Sequence, residues 1–534
     1  MLLRLFTSLI ILPHLVFAAP CLPFENAPIR GELKSGEKAC FILNASANEL
    51  LSLKLDSSNP QISLTVQTPQ GEEITQAQTG GHQKLWKSQR FLTKTQGMYR
   101  LTVQTLDQSP SQFQLGTPER LTAAQYYSEL DKFDLWLKNN AIALNDKTAF
   151  EQLDPHLANA RLIGIGEASH GNREFWDTRT DIVLHLARQQ KMRVVALEIS
   201  PYIGRRMDSF VRNLDQTTQK QIVSEIGNPM FSTEGMWDFL QALRTYNNQQ
   251  NPEQQIRIVG VDIHPGRDED HFLQQFLQKV APEIANLGNE LMSDQTAKAI
   301  LHKTANERRA ELNHVGTTLE QQFIVHQQQW IAVSSSHEYA QALIALHARI
   351  GALNTLHLPW QQSMPSRDRY MHRNIMTLLQ AETAAHPVTF LAHDMHISAS
   401  TDFYAGRFVG SLLKESLGNA YIAIGTAFDQ GSVLALKIGT NRPQVFNMGP
   451  SMPQSLGHYL SRSASSYYAI PMTAATQGAA PLLNSPLKMR IIPLDSGEQI
   501  ADLQYETIVP ARDFDVLIFK KQVSADLSLT SPKI

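Results

Sequence analysis

The sequence predicts an α/β fold, with a largely parallel sheet covered by helices on both faces and a small all-β sandwich before it. Beyond about residue 119, short apolar runs alternate with stretches of helical periodicity, which is typical of a buried parallel sheet. The preceding part alternates apolar and polar residues between turn-rich clusters, as antiparallel strands do. At 534 residues the chain exceeds one typical domain.

Composition narrows the classes of partner. The hydrophobic fraction of 42% is ample for a core, and the formal net charge is −3. No basic surface or charge block favours nucleic acid. We therefore expect a small partner that is uncharged or carries charges of both signs.

Residues 1–18 have the pattern of a secretory signal peptide. One early cation, Arg4, precedes an apolar stretch that ends in the small residue Ala18. The stretch is too short for a spanning helix, so we expect no stable membrane insertion. The sequence thus predicts a secreted or periplasmic protein cleaved near Ala18.

Residues 19–118 are expected to form the accessory β-sandwich. Alternating runs such as ACFILNA, LLSLKLD, QISLTVQT and MYRLTVQT carry few candidate catalytic groups. A polymer or the cell surface is a candidate ligand of this module. Cys21 and Cys40, the two cysteines of the chain, are expected to form a disulfide worth about 3 kcal/mol in an exported protein.

Residues 119–534 are expected to form the catalytic domain, beginning with a helix over residues 122–140. Its core strands are predicted at residues 161–166, 193–199, 256–263, 388–392 and 421–425. Residues 265–385 lack a strand pattern and predict a helical insertion that shapes the pocket. The last residues, 523–534, are expected to be frayed.

Ionisable side chains follow four of these apolar runs directly. They are Glu167 and His170, then Glu198, then Asp262 and His264, and finally His393, Asp394 and His396. Parallel strands end at the same edge of a sheet, so all of these groups are expected in one crevice.

Two arginines extend this group. Arg179 lies in the same helical stripe as Phe175 and Ile182, where a guanidinium needs a partner, and a strand-end carboxylate is the obvious one. Arg367 and Asp368 begin a helical segment before the fourth run and are expected at the pocket mouth.

Structural explanations stand beside the functional ones. Glu167 could cap the following helix, and His170 could be a surface turn residue. Asp262 is as well suited to structural hydrogen bonding as to function, and Arg179 to a structural salt bridge. Glu198 directly follows an apolar strand, where an unpaired charge is costly, so it needs a partner or a catalytic purpose.

Several common catalytic motifs are missing from the sequence. It contains no GxSxG elbow, HExxH, CxxC or Walker loop, and no GxGxxG that opens a helix. Histidine and carboxylate without an activated serine or cysteine favour water activation. A carboxylate-held histidine can take a proton from water, and a second histidine or an arginine can stabilise the oxyanion.

Eight segments in consistent order resemble the erythromycin esterase family over residues 157–520. They include GEASHGNREFWDTRTDIVLHL, VVALEIS, TEGMWDFLQALRTYN, VGVDIH, RDRYMHRNI and LAHDMHIS. The resemblance implies hydrolysis of a macrolide lactone ester by general-base activation of water without a required metal.

The resemblance also implies roles for single residues. His170 matches the general base, with Glu167 and Glu198 as essential carboxylates. Arg179 matches the basic helix position of the family, and His393 and His396 match its late histidine pair. Asp394 replaces a common asparagine, and His264 is not a usual feature. The signal peptide and the β module are further departures.

Three functions follow as hypotheses. The first is an exported hydrolase of a carboxylic ester or macrolactone that needs no metal or cofactor, with Asp262, His264, Arg367 and Asp394 binding the substrate. The second is a hydrolase that binds zinc or another divalent ion through Glu167, His170, Glu198 and His393. The third is a non-enzymatic protein whose paired histidines ligate haem iron, since the family's fold is similar to that of a haem- or iron-handling group.

Overall fold

A computed structural model describes most of the chain. The described residues are 21–25, 27–57, 62–74, 88–105, 110–214, 218–226, 228–264, 271–293, 296, 300, 306–383, 386–399, 407–437, 440, 442–472, 480–492, 495–496 and 504–529. The predicted signal peptide lies outside them. The mixed α/β architecture confirms the predicted fold class at that level.

Nine strands within the described residues form an N-terminal β-sandwich. They are β1 (Leu22–Pro23), β2 (Ile29–Leu33), β3 (Lys38–Ala45), β4 (Leu50–Ser57), β5 (Ile62–Gln67), β6 (Ser88–Leu92), β7 (Gly97–Thr105), β8 (Ser111–Leu115) and β9 (Glu119–Leu121). Their two sheets have the orders β1-β3-β7-β5 and β2-β8-β4-β6, with β9 paired to β4. Inward residues of both sheets share one core, as the period-two alternation predicted. The last strand lies just beyond residue 118, and the domain boundary there stays a prediction.

The remaining strands belong mainly to one large sheet. They are β10 (Ile142–Ala143), β11 (Leu162–Ile165), β12 (Val194–Leu197), β13 (Arg257–Gly260), β14 (Val388–Leu391), β15 (Tyr421–Lys437), β16 (Arg442–Met448), β17 (Tyr467–Pro471), β18 (Leu487–Arg490), β19 (Asp495–Ser496), β20 (Tyr505–Ile508) and β21 (Val516–Val523). The sheet order is β10-β17-β21-β15-β11-β14-β12-β13, with β16 and β19 also on β15, while β18 pairs with β20.

The centre of this sheet is parallel. Strands β13, β12, β14, β11, β15 and β21 run in the same direction in that spatial order. Ile165 and Leu197 both pair with Leu391, so β11, β12 and β14 end level with one another. Four of the five predicted core strands each contain an observed strand, and the fifth, residues 421–425, is the beginning of β15, which continues well past its predicted end.

Helices surround the sheet. The α-helices are Ala123–Asn140, Asp154–Leu157, Arg173–Gln189, Pro201–Val211, Gln219–Ile226, Glu234–Asn247, Phe272–Val280, Ala285–Leu291, Asn306–Val325, Gln327–Val333, Ser336–Thr355, Trp360–Ala381, Asp394–Ile397, Val409–Leu417, Leu456–Leu460, Ala480–Leu483 and Pro510–Asp513. Short 3-10 helices are Lys147–Leu153, Pro252–Gln254, Pro282–Ile284 and Gly418–Ala420. None of the helices in the described part of the chain is long and apolar enough to cross a membrane.

Both faces of the parallel strands are buried. Leu162 and Val194 enter one core, and their neighbours Ile163 and Val195 enter another. Helices over the first core include Ala123–Asn140, Trp360–Ala381 and Val409–Leu417. Helices over the second core include Arg173–Gln189, Pro201–Val211 and Glu234–Asn247. This two-sided burial explains why the strands are continuous apolar runs.

The helical insertion has a core of its own. Its helices pack around an aromatic group that includes Phe276, Phe323 and Trp330. Within the described part of residues 265–385 every regular element is a helix, as the sequence predicted.

The expectation of a frayed end is wrong for residues 524–529. Ala525 forms a β-bridge with Asn172, and Ser528 forms one with Thr233. Asp526 is buried. These residues are fixed because polar groups of two distant loops satisfy their backbone. Residues 530–534 lie outside the described part.

Cys21 and Cys40 form the predicted disulfide, closing a separation of 19 residues. Replacing both by alanine should lower the free energy of unfolding of the sandwich by about 3 kcal/mol, because the unfolded chain loses its loop constraint. Urea denaturation with and without reductant measures this. Reductant should destabilise the wild type and leave the double variant unchanged. Equal stabilities of the two proteins would contradict the prediction.

Candidate active site

The candidate site lies at the carboxyl ends of four adjacent strands. In spatial order these are β13, β12, β14 and β11, and they are followed by Asp262, Glu198, His393 and Glu167. Neighbouring strands therefore deliver three carboxylates and an imidazole in one row. All four residues are buried, so each charge requires a partner.

The first network holds His170. Its Nδ1 lies 2.7 Å from Oε1 of Glu167, and Nη1 of Arg179 lies 2.7 Å from Oε2 of the same carboxylate. Arg179 also donates to the carbonyl oxygens of Ile165 and Ala392. The guanidinium thus fixes the carboxylate, and the carboxylate fixes the imidazole.

This arrangement leaves one ring nitrogen of His170 available. An Nδ1–H that donates to Glu167 leaves the lone pair on Nε2 in the neutral ring. Within the described residues, no group hydrogen-bonds to this Nε2. The ring lies between those of Phe231 and His393, with centroid distances of 4.9 and 4.8 Å.

Close packing explains the glycines on each side of Glu167 and His170. A Cβ on Gly166 would lie 1.8 Å from Oδ1 of Asp394, and one on Gly171 would lie 1.8 Å from the carbonyl oxygen of Leu434. Any side chain at either position would displace the loop that carries the first network.

The second network is built around Arg367. Its Nε and Nη2 donate to the two oxygens of Asp262 at 2.8 and 2.9 Å, and Nη2 also donates to Oε1 of Glu198 at 2.7 Å. Burial alone would raise the pKa of Asp262, but Arg367 and His264 hold it well below its usual range. Removing one partner from such a buried set costs about 3–5 kcal/mol.

His396 and Asp368 continue this network. His396 Nδ1 lies 2.8 Å from Oδ2 of Asp368, which also accepts from the backbone N–H of Val409. His396 Nε2 lies 3.2 Å from Oε1 of Glu198. Burial opposes protonation of His396, but Asp368 and Glu198 outweigh it and raise the pKa of the ring. The two carboxylates favour the protonated ring, whereas Nη1 of Arg367, which lies 3.2 Å from the same Nε2, opposes protonation.

Glu198 connects the two networks. Burial would raise its pKa, but His396 and Arg367 lower it far below the usual value. Its Oε2 accepts from the backbone N–H of His393 at 3.0 Å, and His393 contacts His170.

His393 is neutral. Its Nε2 donates to the carbonyl oxygen of Ile492 at 3.1 Å, and its Nδ1 accepts from the backbone N–H of Met395. Burial first, and then the nearby His170, lower its pKa well below the usual value. Both ring nitrogens are thus occupied by backbone groups.

Asp394 and His264 occupy opposite environments. Asp394 is fully buried and accepts from the N–H and hydroxyl of Thr426. Burial raises its pKa well above the usual value, and its Oδ1 occupies the space that a side chain at position 166 would need. His264 has 57% of its side chain exposed, and its Nδ1 lies 2.6 Å from Oδ2 of Asp262.

Comparison with known proteins identifies the family. A sequence model of the erythromycin esterase family matches residues 187–523, which is more than half of the chain. The chain belongs to the erythromycin esterase family. Membership supports hydrolase activity in general. The matched range includes the second network and His393, but it begins after Glu167, His170 and Arg179.

Solved structures share the fold. A Bacillus cereus protein is 18% identical with a TM-score of 0.66, covering 75% of this chain and 99% of its own. A succinoglycan biosynthesis protein is 14% identical with a TM-score of 0.62 and the same coverage. A mutant of the erythromycin esterase EreC in its open conformation is 17% identical with a TM-score of 0.54, covering 71% and 95%. No curated protein sequence matches the chain.

Some residues of the candidate site are buried more deeply than the sequence indicated, and others were not predicted at all. Arg367 and Asp368 are buried beneath Glu198 and His396 instead of lying at a pocket mouth. Phe231 and Ile492 also contact the site. No sequence signal distinguishes Phe231 from other loop aromatics, and Ile492 contributes only a backbone oxygen.

The described residues do not form a preorganised metal site. Within them, no group of three or more histidine, cysteine, aspartate or glutamate side chains is arranged to hold an ion. For the set Glu167, His170, Glu198 and His393, the reason lies in their bonds. The one lone pair of the neutral His393 ring, on Nδ1, accepts from the backbone N–H of Met395, so an ion would have to displace that contact.

Replacing Asp368 by asparagine should lower the pKa of His396 and change the pH dependence of stability. A raised folded pKa stabilises the fold below about pH 6.5, and this stabilisation is lost as the pH rises through the folded pKa. The loss of stability with rising pH should be smaller in Asp368→Asn than in the wild type. Urea unfolding between about pH 5.5 and 8.5 and NMR of labelled histidine rings measure both effects.

Asp56→Asn is a matched control, since Asp56 is exposed and pairs with Lys54 in the sandwich. It should leave the His396 titration unchanged. An unaltered titration in Asp368→Asn would contradict the assigned charge of the His396–Asp368 pair.

Proposed function

We propose that this protein is an exported hydrolase that cleaves a carboxylic ester or macrolactone with water activated by His170. The observation that carries the proposal is the Glu167–His170 pair, whose geometry leaves Nε2 without a protein partner among the described residues. A carboxylate that orients an imidazole in this way also stabilises the imidazolium that forms when the ring takes a proton.

The reaction proceeds in two proton transfers. His170 Nε2 removes a proton from water while the water oxygen bonds to the ester carbonyl carbon, and the carbonyl π electrons move to oxygen. The tetrahedral intermediate then re-forms its carbonyl and breaks the bond to the alkoxy oxygen. The imidazolium returns the proton to that oxygen, giving an acid and an alcohol and restoring the neutral ring.

We assign oxyanion stabilisation to the positive side of the second network. Arg367 and His396 lie at the same sheet edge as His170, and Glu198 connects them to it. Fixed charges in a water-poor site stabilise developing negative charge without reorganisation. In this assignment Asp262 and Asp368 orient the two cations, and His264 is the exposed group nearest the substrate side.

Divalent-metal catalysis on the same residues is the second candidate. The ligand set Glu167, His170, Glu198 and His393 has the donor chemistry that zinc accepts. The occupied nitrogens of His393 weigh against it. Ester turnover that survives dialysis against chelator, with metal content measured in the same sample, would remove this candidate.

Export is part of the proposal. The apolar segment at residues 1–18 supports it, as does the Cys21–Cys40 disulfide, because such bonds persist in oxidising compartments. The sandwich is proposed as an accessory module with a polymer or cell-surface ligand. Amino-terminal sequencing of the exported protein should find a mature chain that begins near Ala19.

Replacing His170 by alanine should lower kcat by about 10²–10⁴-fold, which is the usual contribution of a general base. The variant should still fold, with a lowered melting temperature, because a buried ring is lost while Arg179 continues to pair with Glu167. Hydrolysis of a panel of macrolides and acylated sugars measures the rate.

His156→Ala is the matched control, since His156 lies in the short helix Asp154–Leu157 away from the strand ends. It should keep full activity. A His170→Ala protein that retains most of the wild-type rate would show that the assigned base is wrong.

A further inference from the structure

The C-terminal segment, residues 524–529, joins two loops of the candidate site. On one side, the N–H of Asp526 donates to the carbonyl oxygen of Gly171, directly after His170. The hydroxyl and N–H of Ser524 donate to the carboxylate of Glu174 at 2.6 and 2.8 Å. The segment is therefore fixed to the loop and helix that follow the proposed base.

On the other side, the segment holds the loop before the helix Glu234–Asn247. The N–H of Leu529 donates to the carbonyl oxygen of Ser232 at 2.7 Å, and the N–H of Glu234 donates to that of Leu527 at 2.9 Å. Both oxygens of Asp526 accept from the N–H of Gly235, at 3.0 and 3.1 Å. These bonds begin at Ser232, the residue immediately after Phe231.

Asp526 accepts a hydrogen bond at the amino terminus of the helix Glu234–Asn247, where water would otherwise bind. The first N–H groups of a helix have no partner within it, and a buried carboxylate there satisfies them. The fit is close, since a Cβ on Gly235 would lie 2.6 Å from Oδ2 of Asp526. Asp526 is 2% exposed, so nothing else replaces it readily.

Phe231 belongs to the loop that residues 524–529 hold in place, and its ring contacts the candidate site. Its ring centroid lies 4.9 Å from that of His170, and the side chain is half-buried, whereas His170 is buried. A partly exposed aromatic ring packed against the proposed base offers an apolar surface to a substrate bound beside that base.

We propose that Phe231 is a specificity-determining residue that binds the apolar part of the substrate beside the reacting ester, and that Asp526 is the positioning residue that holds it there. That Phe231 contacts an ester substrate rests on the proposed function. The hydrogen bonds between residues 524–529 and the Phe231 loop do not depend on it.

Phe231→Ala should raise KM for esters with large apolar groups by about tenfold or more, because an aromatic contact of this size is lost. KM for a small ester such as an acetate should change far less, and kcat should stay nearly constant because His170 keeps Glu167. Tyr127→Ala, which removes an exposed aromatic ring remote from the strand ends, is the matched control. Equal effects on large and small esters would overturn the assignment.

Asp526→Ala should raise KM in the same selective way, whereas Asp526→Asn should stay close to the wild type, since an amide oxygen still accepts from Gly235. Hydrogen exchange of residues 228–235 should become at least severalfold faster in Asp526→Ala only. Asp146→Ala is the control, because Asp146 caps a 3-10 helix in the same manner elsewhere. Unchanged exchange in Asp526→Ala would overturn the positioning role.

Two further outcomes separate the ideas. If Asp526→Ala does not fold, Ser524→Ala serves instead, because it removes one bond to Glu174. Hydrogen exchange of residues 228–235 should be faster in Ser524→Ala than in the wild type. Unchanged exchange would contradict the proposal. If the wild type hydrolyses no ester, the proposed function fails, and the exchange measurements still decide whether the segment positions Phe231.

Discussion

The structure of the site depends on pairing carboxylates that the fold has buried away from water with a cation. Parallel strands with both faces covered must end in a buried region, and here the ends carry Glu198 and Asp262. One guanidinium, that of Arg367, contacts both. Without it two adjacent carboxylates would share a low-dielectric space, and the edge of the sheet would not hold its geometry.

The same constraint gives the three histidines different properties. His170 has a carboxylate on one nitrogen, His396 has carboxylates near both, and His393 has backbone groups on both. Their partners, and not their position in the chain, distinguish the rings: burial lowers the pKa of His393, whereas Asp368 and Glu198 raise that of His396. The ring of His393 lies beside that of His170, with their centroids 4.8 Å apart, and Glu198 connects the backbone N–H of His393 to the ring of His396.

Much of the architecture could be predicted because its signals are local. Apolar runs located β11 to β14, and the groups after them pointed to one edge, where the structure places them. The depth of Arg367, the neutral state of His393 and the contact of Phe231 could not be predicted. Each depends on residues far away in the chain, such as Ile492 or Asp526, and no spacing rule connects those segments. The docked C-terminal segment was missed for the same reason, because its residues are polar and aperiodic.

The strand order has a consequence for how the molecule assembles. β14 lies between β11 and β12, yet it is made almost two hundred residues after β12, once the entire helical insertion has been synthesised. The two earlier strands cannot complete their pairing until it arrives. Until β14 inserts, the strands that carry Glu167 and Glu198 lack their common partner, and long-range closure of this kind makes folding slow. An ordered site is consequently a late product of folding.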